Sequence, residues 1–335
     1  MKSRSARFPL AALLVLAAAA TTVRAQTDSR MVLDPWPTPQ SWGTTFDTLL
    51  YQGQSHVQGP ATHGEDDATA QIFWWDSTGH FRLGTTNPDA LQLGYRWVTM
   101  NFDSNSTLLP RHLDEISMAA GLHLGEIDGG RLDLIFGAGY SGDNPFADAQ
   151  GVFGIGHLVW NKPLSETDSL VLSLDYNGVA AFLPDIPQPG FEYIHRTDDF
   201  SWYFGYPRSG VTWKPIENVT VDADYAVPYT ADVTLDYRLS KSWSVFTGYH
   251  NFFNAFRLDD EPLTERLMVQ MSRAEVGIHY TNPDFVLKGA YLDASLAVGY
   301  AFAQQYSTGF DVRDMSPLTE VSDVPYVALI LRGRF

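Results

Sequence analysis

The last ten residues, Tyr326-Val327-Ala328-Leu329-Ile330-Leu331-Arg332-Gly333-Arg334-Phe335, carry the reading that decides the fold. Val327, Leu329, Leu331, Gly333 and Phe335 fall on alternate positions, with Arg332 and Arg334 between them. A period of two belongs to a β-strand whose two faces meet different surroundings. The period recurs upstream. Leu170, Leu172, Leu174 and Tyr176 alternate with Val171, Ser173, Asp175 and Asn177, and Leu132, Leu134, Phe136, Ala138 and Tyr140 lie opposite Asp133, Gly137 and Gly139. Val219, Val221, Ala223 and Tyr225 oppose Thr220, Asp222 and Asp224, while Val233, Leu235, Tyr237 and Leu239 oppose Asp232, Thr234, Asp236 and Arg238. A soluble β-sandwich would alternate in the same way, so the surroundings of the apolar face must come from elsewhere in the chain.

The N-terminus supplies one answer. Lys2, Arg4 and Arg7 precede an uncharged run over residues 8–20 and then Val23-Arg24-Ala25, which is the layout of a secretory signal peptide with cleavage expected after Ala25. Its apolar core is too short to span a bilayer as a helix, and no later stretch is apolar enough to do so. With no cysteine in the chain, neither a lipoprotein anchor nor a disulfide framework is available. Removing residues 1–25 leaves 18 basic residues against 39 acids, a net charge of −21. That excess argues against nucleic acid, whose phosphates need Lys and Arg.

The connections supply another. Strands are expected over residues 68–76, 80–86, 90–103, 115–126, 130–141, 151–161, 168–180, 200–213, 218–226, 230–239, 243–255, 267–281, 293–308 and 325–335. With the C-terminus on the periplasmic side, long outward links fall at residues 103–113, 141–150, 181–199, 256–266 and 309–324, and inward links at 126–131, 161–168, 214–218, 239–241 and 281–292. Short periplasmic turns and longer outer loops belong to a membrane barrel. Two links fit less well, since residues 227–230 are short for an outer loop and 281–292 long for a turn. Outward-facing Tyr95, Trp97, Tyr140, Trp160, Tyr176, Tyr225, Tyr237, Tyr249, Tyr280 and Tyr300 suit interfacial girdles. The expected fold is therefore all-β, a transmembrane antiparallel up-and-down β-barrel of 12 or 14 strands over residues 67–335, following the signal peptide. Residues 26–66, rich in Pro, Gly, Gln and Ser, read as an extended periplasmic lead or a lumen segment.

The terminal strand resembles the C-terminal strand of outer-membrane barrels, which their assembly machinery recognises. Val327, Leu329, Leu331, Gly333 and Phe335 are the corresponding signal here. With the phrases Leu93-Gly94-Tyr95-Arg96 and Val298-Gly299-Tyr300-Ala301-Phe302, residues 68–335 are similar to the porin-like and uncharacterised barrel families of bacterial outer membranes. The resemblance implies an outer-membrane location and, as partners, outer-membrane lipid, lipopolysaccharide and the barrel assembly machinery. It brings no catalytic or binding residue with it.

The residues themselves offer little chemistry. His123, His157, His250 and His279 share the polar parity of their strands with Ser117 and Ser244, but each serine is six residues from its nearest strand histidine. That is about 20 Å along an extended chain, so an outer-membrane lipid hydrolase would need a partner from another strand. The acidic groups Asp143-Asn144 with Asp148, and Asp259-Asp260-Glu261, match no EF-hand spacing, so neither metal nor cofactor is expected. The inward parity places Asp133, Asp175, Asp222, Asp224, Asp232, Asp236 and Glu275 in the lumen against Arg96, Arg238, Arg273, Arg332 and Arg334. The expected function is a porin-like passive channel for small hydrophilic solutes with a weak cation preference. The alternative is a structural or surface-interaction barrel with a blocked lumen.

Deleting Phe335 should leave export intact but block assembly, because the recognition signal and a lipid-facing aromatic go together. The check is fractionation with heat-modifiable gel mobility, and a normally folded barrel in the outer membrane would refute the assignment.

Overall fold

The computed structural model describes residues 49–58, 61–63, 68–83, 89–147, 149–227, 230–259, 261–262, 264–282 and 291–334. The expected signal peptide and Phe335 lie outside the described residues. The strands in chain order are β1 (Leu49–Gln58), β2 (Ala61–His63), β3 (Ala68–Arg82), β4 (Gln92–Ser104), β5 (His112–Ile127), β6 (Gly130–Gly142), β7 (Val152–Pro163), β8 (Asp168–Asn177) and β9 (Gln188–Arg196). They continue with β10 (Phe200–Tyr206), β11 (Arg208–Ile216), β12 (Val219–Ala226), β13 (Thr230–Arg238), β14 (Trp243–Arg257), β15 (Arg266–Asn282), β16 (Tyr291–Gly309), β17 (Ser316–Val321) and β18 (Val324–Arg334).

From β3 to β16 each strand pairs antiparallel with the next, and β18 pairs with β1 from Leu50↔Arg334 to Gln58↔Tyr326, which closes the sheet on itself. β1 and β2 run in series along β3, and β17 and β18 run in series along β16, so each couple fills one wall position. Among the described residues the wall therefore has sixteen positions, not twelve or fourteen.

The difference has local causes. β3 is a single strand where two were expected, because Asp76 to Gly79 stay extended and paired with β4. The stretch expected as one strand over 200–213 is two, turned at a cis Tyr206-Pro207 bond. β9 lies inside the expected outer link 181–199, since Phe191, Tyr193 and His195 alternate with Glu192 and Ile194. Within the expected lead or lumen segment, residues 49–58 and 61–63 form β1 and β2 of the wall. The even count brings the chain's first and last wall strands to the same rim, called the turn rim; the opposite one is the loop rim. Links 128–129, 164–167, 197–199, 217–218 and 239–242 lie at the turn rim, and 105–111, 143–151, 178–187, 258–265 and 310–315 at the loop rim.

The wall is uneven in height. β8 to β13 have 7 to 10 residues each, whereas β14, β15 and β16 have 15, 17 and 19. Outside, Leu158, Leu172, Leu174, Val276, Ile278, Leu296, Val298, Val327 and Leu329 are exposed. Trp160, Trp202, Trp213, Tyr237, Trp243 and Tyr280 form an outward aromatic ring on the turn-rim side, with Trp243 and Tyr280 4.7 Å apart. A closed sheet with a continuous apolar exterior leaves no backbone group unsatisfied in hydrocarbon. The chain is a transmembrane β-barrel of the outer-membrane kind.

Leu172 faces outward and is exposed, while Ser173 faces the lumen and donates to Asp175 at 2.8 Å. Leu172→Arg should cost about 2 to 4 kcal/mol if the site lies near the bilayer midplane, and Ser173→Arg much less. Urea unfolding in bilayers is the check; equal losses would reverse the facing.

Candidate functional site

The candidate site is the lumen. Antiparallel register puts directly opposed residues on one face, so the inward parity of each strand is continued by its neighbours. Asp133 accepts from Arg131 at 2.8 Å and meets His123 at 3.2 Å. Asp175 is paired with His157, and Asp293 with His279. β12 and β13 bring Asp224 opposite Asp232 as their hairpin closes. Each acid there has a donor. Tyr203 donates to Asp224, Thr212 to Asp222 at 2.7 Å and Ser244 to Asp236 at 2.6 Å. Asp232 meets His250 at 3.0 Å, and the other nitrogen of that ring meets Glu275 at 3.2 Å. Tyr326 completes the row by donating to Glu275.

Two glycines make room for that row. A Cβ on Gly299 would sit 2.6 Å from the Tyr326 ring, and one on Gly248 would sit 2.5 Å from His250 Nε2. Arg273 lies over the Trp74 ring at 4.7 Å and the Tyr326 ring at 5.9 Å, in cation–π geometry. Arg96 donates to Glu115 at 3.1 Å and approaches Asp76 at 3.5 Å. Arg238 faces inward near the turn rim; Arg332 and Arg334 share the inward row of β18, their side chains lying outside those described. Sequence reading missed Asp76, Glu115, Glu192 and Asp293 as lumen acids. Parity could have found Glu115, which shares its face with Ser117 and His123. The pairing partners could not be found that way, because they sit on other strands.

Toward the loop rim the lumen changes character. Trp74, Met100, Leu113, Phe252, Phe256, Leu267 and Met271 are buried against one another inside the barrel, with Trp74 and Phe252 rings 4.4 Å apart. Contact across the lumen is possible because β14 leaves the wall. Its last pair with β13 is Asp232↔His250, and from Asn251 to Phe256 every side chain is buried. Asn254 reaches Glu115 on β5, seven wall positions away, with a 2.8 Å hydrogen bond between two buried groups. The register slips between Gln270 and Ser272 on β15, opposite Ala303 at φ 50 on β16, where the hairpin bends.

The loops cover this inward hairpin. Phe253, Ala255 and Met268 pack under Ala181, Phe182, Val312 and Met315. Arg257 donates to the carbonyls of Val152 and Gly178 at 2.9 and 3.0 Å, and buried Arg266 to those of Val179 and Ala180, both at 3.1 Å. Tyr140, outward by parity, is buried beneath the 143–151 loop and donates to Asn144. In the 310–315 loop burial would raise the Asp311 carboxyl, but the Arg313 guanidinium and the Leu183 amide outweigh it and hold Asp311 below the usual carboxylate range. Its anchoring of residues 178–187 is thus present above that range and lost as pH falls through the depressed value.

The chain brings Ser244 directly opposite His279, the cross-strand arrangement a hydrolase would need. The bonds differ from that role: the Ser244 hydroxyl goes to Asp236, and His279 Nε2 meets Asp293 and Thr281. Among the described residues no three His, Asp or Glu side chains are grouped to hold a metal, and Asp143 instead accepts from the Asp259 amide at 2.9 Å. Asp148 and Asp260 lie outside the described residues.

No protein-family model and no curated protein matches the chain. Among solved structures it is similar to the Pseudomonas putida toluene transporter TodX at 10% identity and TM-score 0.37, over 93% of this chain and 95% of that one. It is also similar to a Pseudomonas aeruginosa FadL homologue (10%, TM-score 0.39, 85% and 88%) and to the Ralstonia pickettii toluene transporter TbuX (11%, TM-score 0.34, 89% and 92%). Identities this low leave the function to be argued from the chain's own residues.

Glu115→Ala removes the closest partner of a buried guanidinium, which should destabilise the folded barrel by about 3 kcal/mol. Arg96→Met with Glu115→Leu should recover part of that loss. Urea midpoints decide, and a double variant no better than the single would show that the charge is not the cause.

Proposed function

We propose that this chain is an outer-membrane channel, shut in the conformation described, whose passenger is a small, largely apolar molecule rather than a hydrated ion. The observation that supports this is the apolar cross-section around Trp74, Met100, Leu113, Phe252 and Phe256. A hydrated ion passing there would shed its water shell among groups that offer no replacement. The hydrophilic, cation-preferring porin expected from the inward-parity charges loses its basis, because the lumen carboxylates of β12 to β15 are already matched with Tyr, Thr, Ser and His donors. A second reading, a structural barrel with no transport, is favoured by the Asn254 to Glu115 bond across the lumen.

Two measurements separate these readings. In cells with an intact lipopolysaccharide barrier, expression should raise uptake of an uncharged naphthylamine dye several-fold. In planar bilayers the protein should give no lasting ohmic conductance, and liposomes should not swell in sugars. Stable conductance with sugar entry would restore the hydrophilic porin, and absence of both activities would favour the structural barrel.

A further inference from the structure

We propose that the loop-side half of the β14–β15 hairpin is the gate of this channel and that the Asn254 to Glu115 hydrogen bond is its latch. The inference rests on the channel reading above and assigns the moving part. Three properties single out this hairpin. It leaves the wall at a defined point, above His250, where β13 has ended and β14 runs on without it. It blocks the lumen with its own side chains, Phe252 and Phe256 meeting the far wall. It is held there by apolar packing on both faces, by the β15–β16 pairs from Arg266↔Gly309 to Gln270↔Gln305, by the bonds of Arg257 and Arg266 to loop carbonyls, and by one cross-lumen hydrogen bond that a single substitution releases.

The latch is polar in an otherwise apolar contact. Glu115 is fully buried, its other oxygen is bound to Arg96, and Arg96 is braced by Asp76, so the acceptor is fixed to the wall and only Asn254 travels. A buried carboxylate that loses a donor incurs a desolvation penalty, which makes the closed state specific in position as well as favourable. The bend coincides with the register slip at Gln270/Ser272, so swinging the tip outward leaves the β15–β16 pairs from Ser272 to Asn282 in place and either parts the pairs from Arg266↔Gly309 to Gln270↔Gln305 or carries the end of β16 with it.

The chain has no cysteine, so introduced pairs can be read without background. Glu115→Cys with Asn254→Cys removes the latch when reduced and locks the hairpin when oxidised. Leu235→Cys with Thr247→Cys, directly opposed on β13 and β14 in the part of the wall that does not move, is the control. Asn254→Ala serves as a milder variant, and heat-modifiable mobility verifies that each barrel is folded.

Dye uptake through Asn254→Ala should exceed the parent by about tenfold, the weight of one hydrogen bond to a buried charge, and uptake through the reduced latch pair by at least as much, since that pair also loses the Arg96 to Glu115 ion pair. Oxidation should bring the latch pair below the parent and leave the control pair unchanged. If the parent transports dye and the latch pair behaves alike in both redox states, the hairpin is not the gate and the channel reading stands. If neither the parent, Asn254→Ala nor the reduced pair admits dye, gate and channel fall together.

Discussion

Everything in this barrel follows from the need to satisfy every backbone amide and carbonyl that faces hydrocarbon. A sheet edge in lipid would leave a row of such groups unpaired, each costing several kcal/mol. The Leu50↔Arg334 to Gln58↔Tyr326 ladder removes that edge, and with it the choice between open and closed sheets. Once the ring is closed, alternation sorts side chains without further instruction. Leucines and valines of one parity meet lipid, and the carboxylates, histidines and arginines of the other meet each other.

The uneven height of the wall creates the barrel's most distinctive feature. β13 reaches β14 only to His250, yet β14 continues to Arg257. A strand extended beyond its neighbour has an exposed edge, and such edges are covered in native proteins. Here β14 and β15 turn into the lumen, where Phe252 and Phe256 find apolar partners and the loops of residues 178–187 and 310–315 close over the other face. The long sector thereby fills the mouth that the short sector leaves low.

The lumen's polar groups obey the same economy at a smaller scale. His250 bridges Asp232 and Glu275, Tyr326 caps Glu275, and Gly248 and Gly299 supply the space in which the rings lie. Buried polar groups are tolerated when paired and costly when not, so a lumen partly filled by its own wall must carry a network whose members answer one another. That network stiffens the turn-side half, while the loop-side half is held by dispersion and a few isolated bonds.

Much of this was legible in the residues. Period-two alternation at Leu170 to Asn177 and Val327 to Phe335 marks strands and their faces, because a strand's side chains point alternately whatever lies around it. Parity also groups Asp222 with Asp224 and Asp232 with Asp236 on one face of their strands, and the register sets Asp224 opposite Asp232. The strand count was not legible where alternation is broken, as in β1 with its glycine and glutamines, or where one residue, Pro207, makes a whole turn. Least legible was the plug. No local signal says that β13 stops short, that β14 bends so that Phe253 and Ala255 are buried on its other face, or that Asn254 meets Glu115 across the barrel. Facing is a property of a strand with its own neighbours and is written along the chain; which groups meet across the lumen depends on the relative heights and closure of the wall strands, which only the assembled barrel decides.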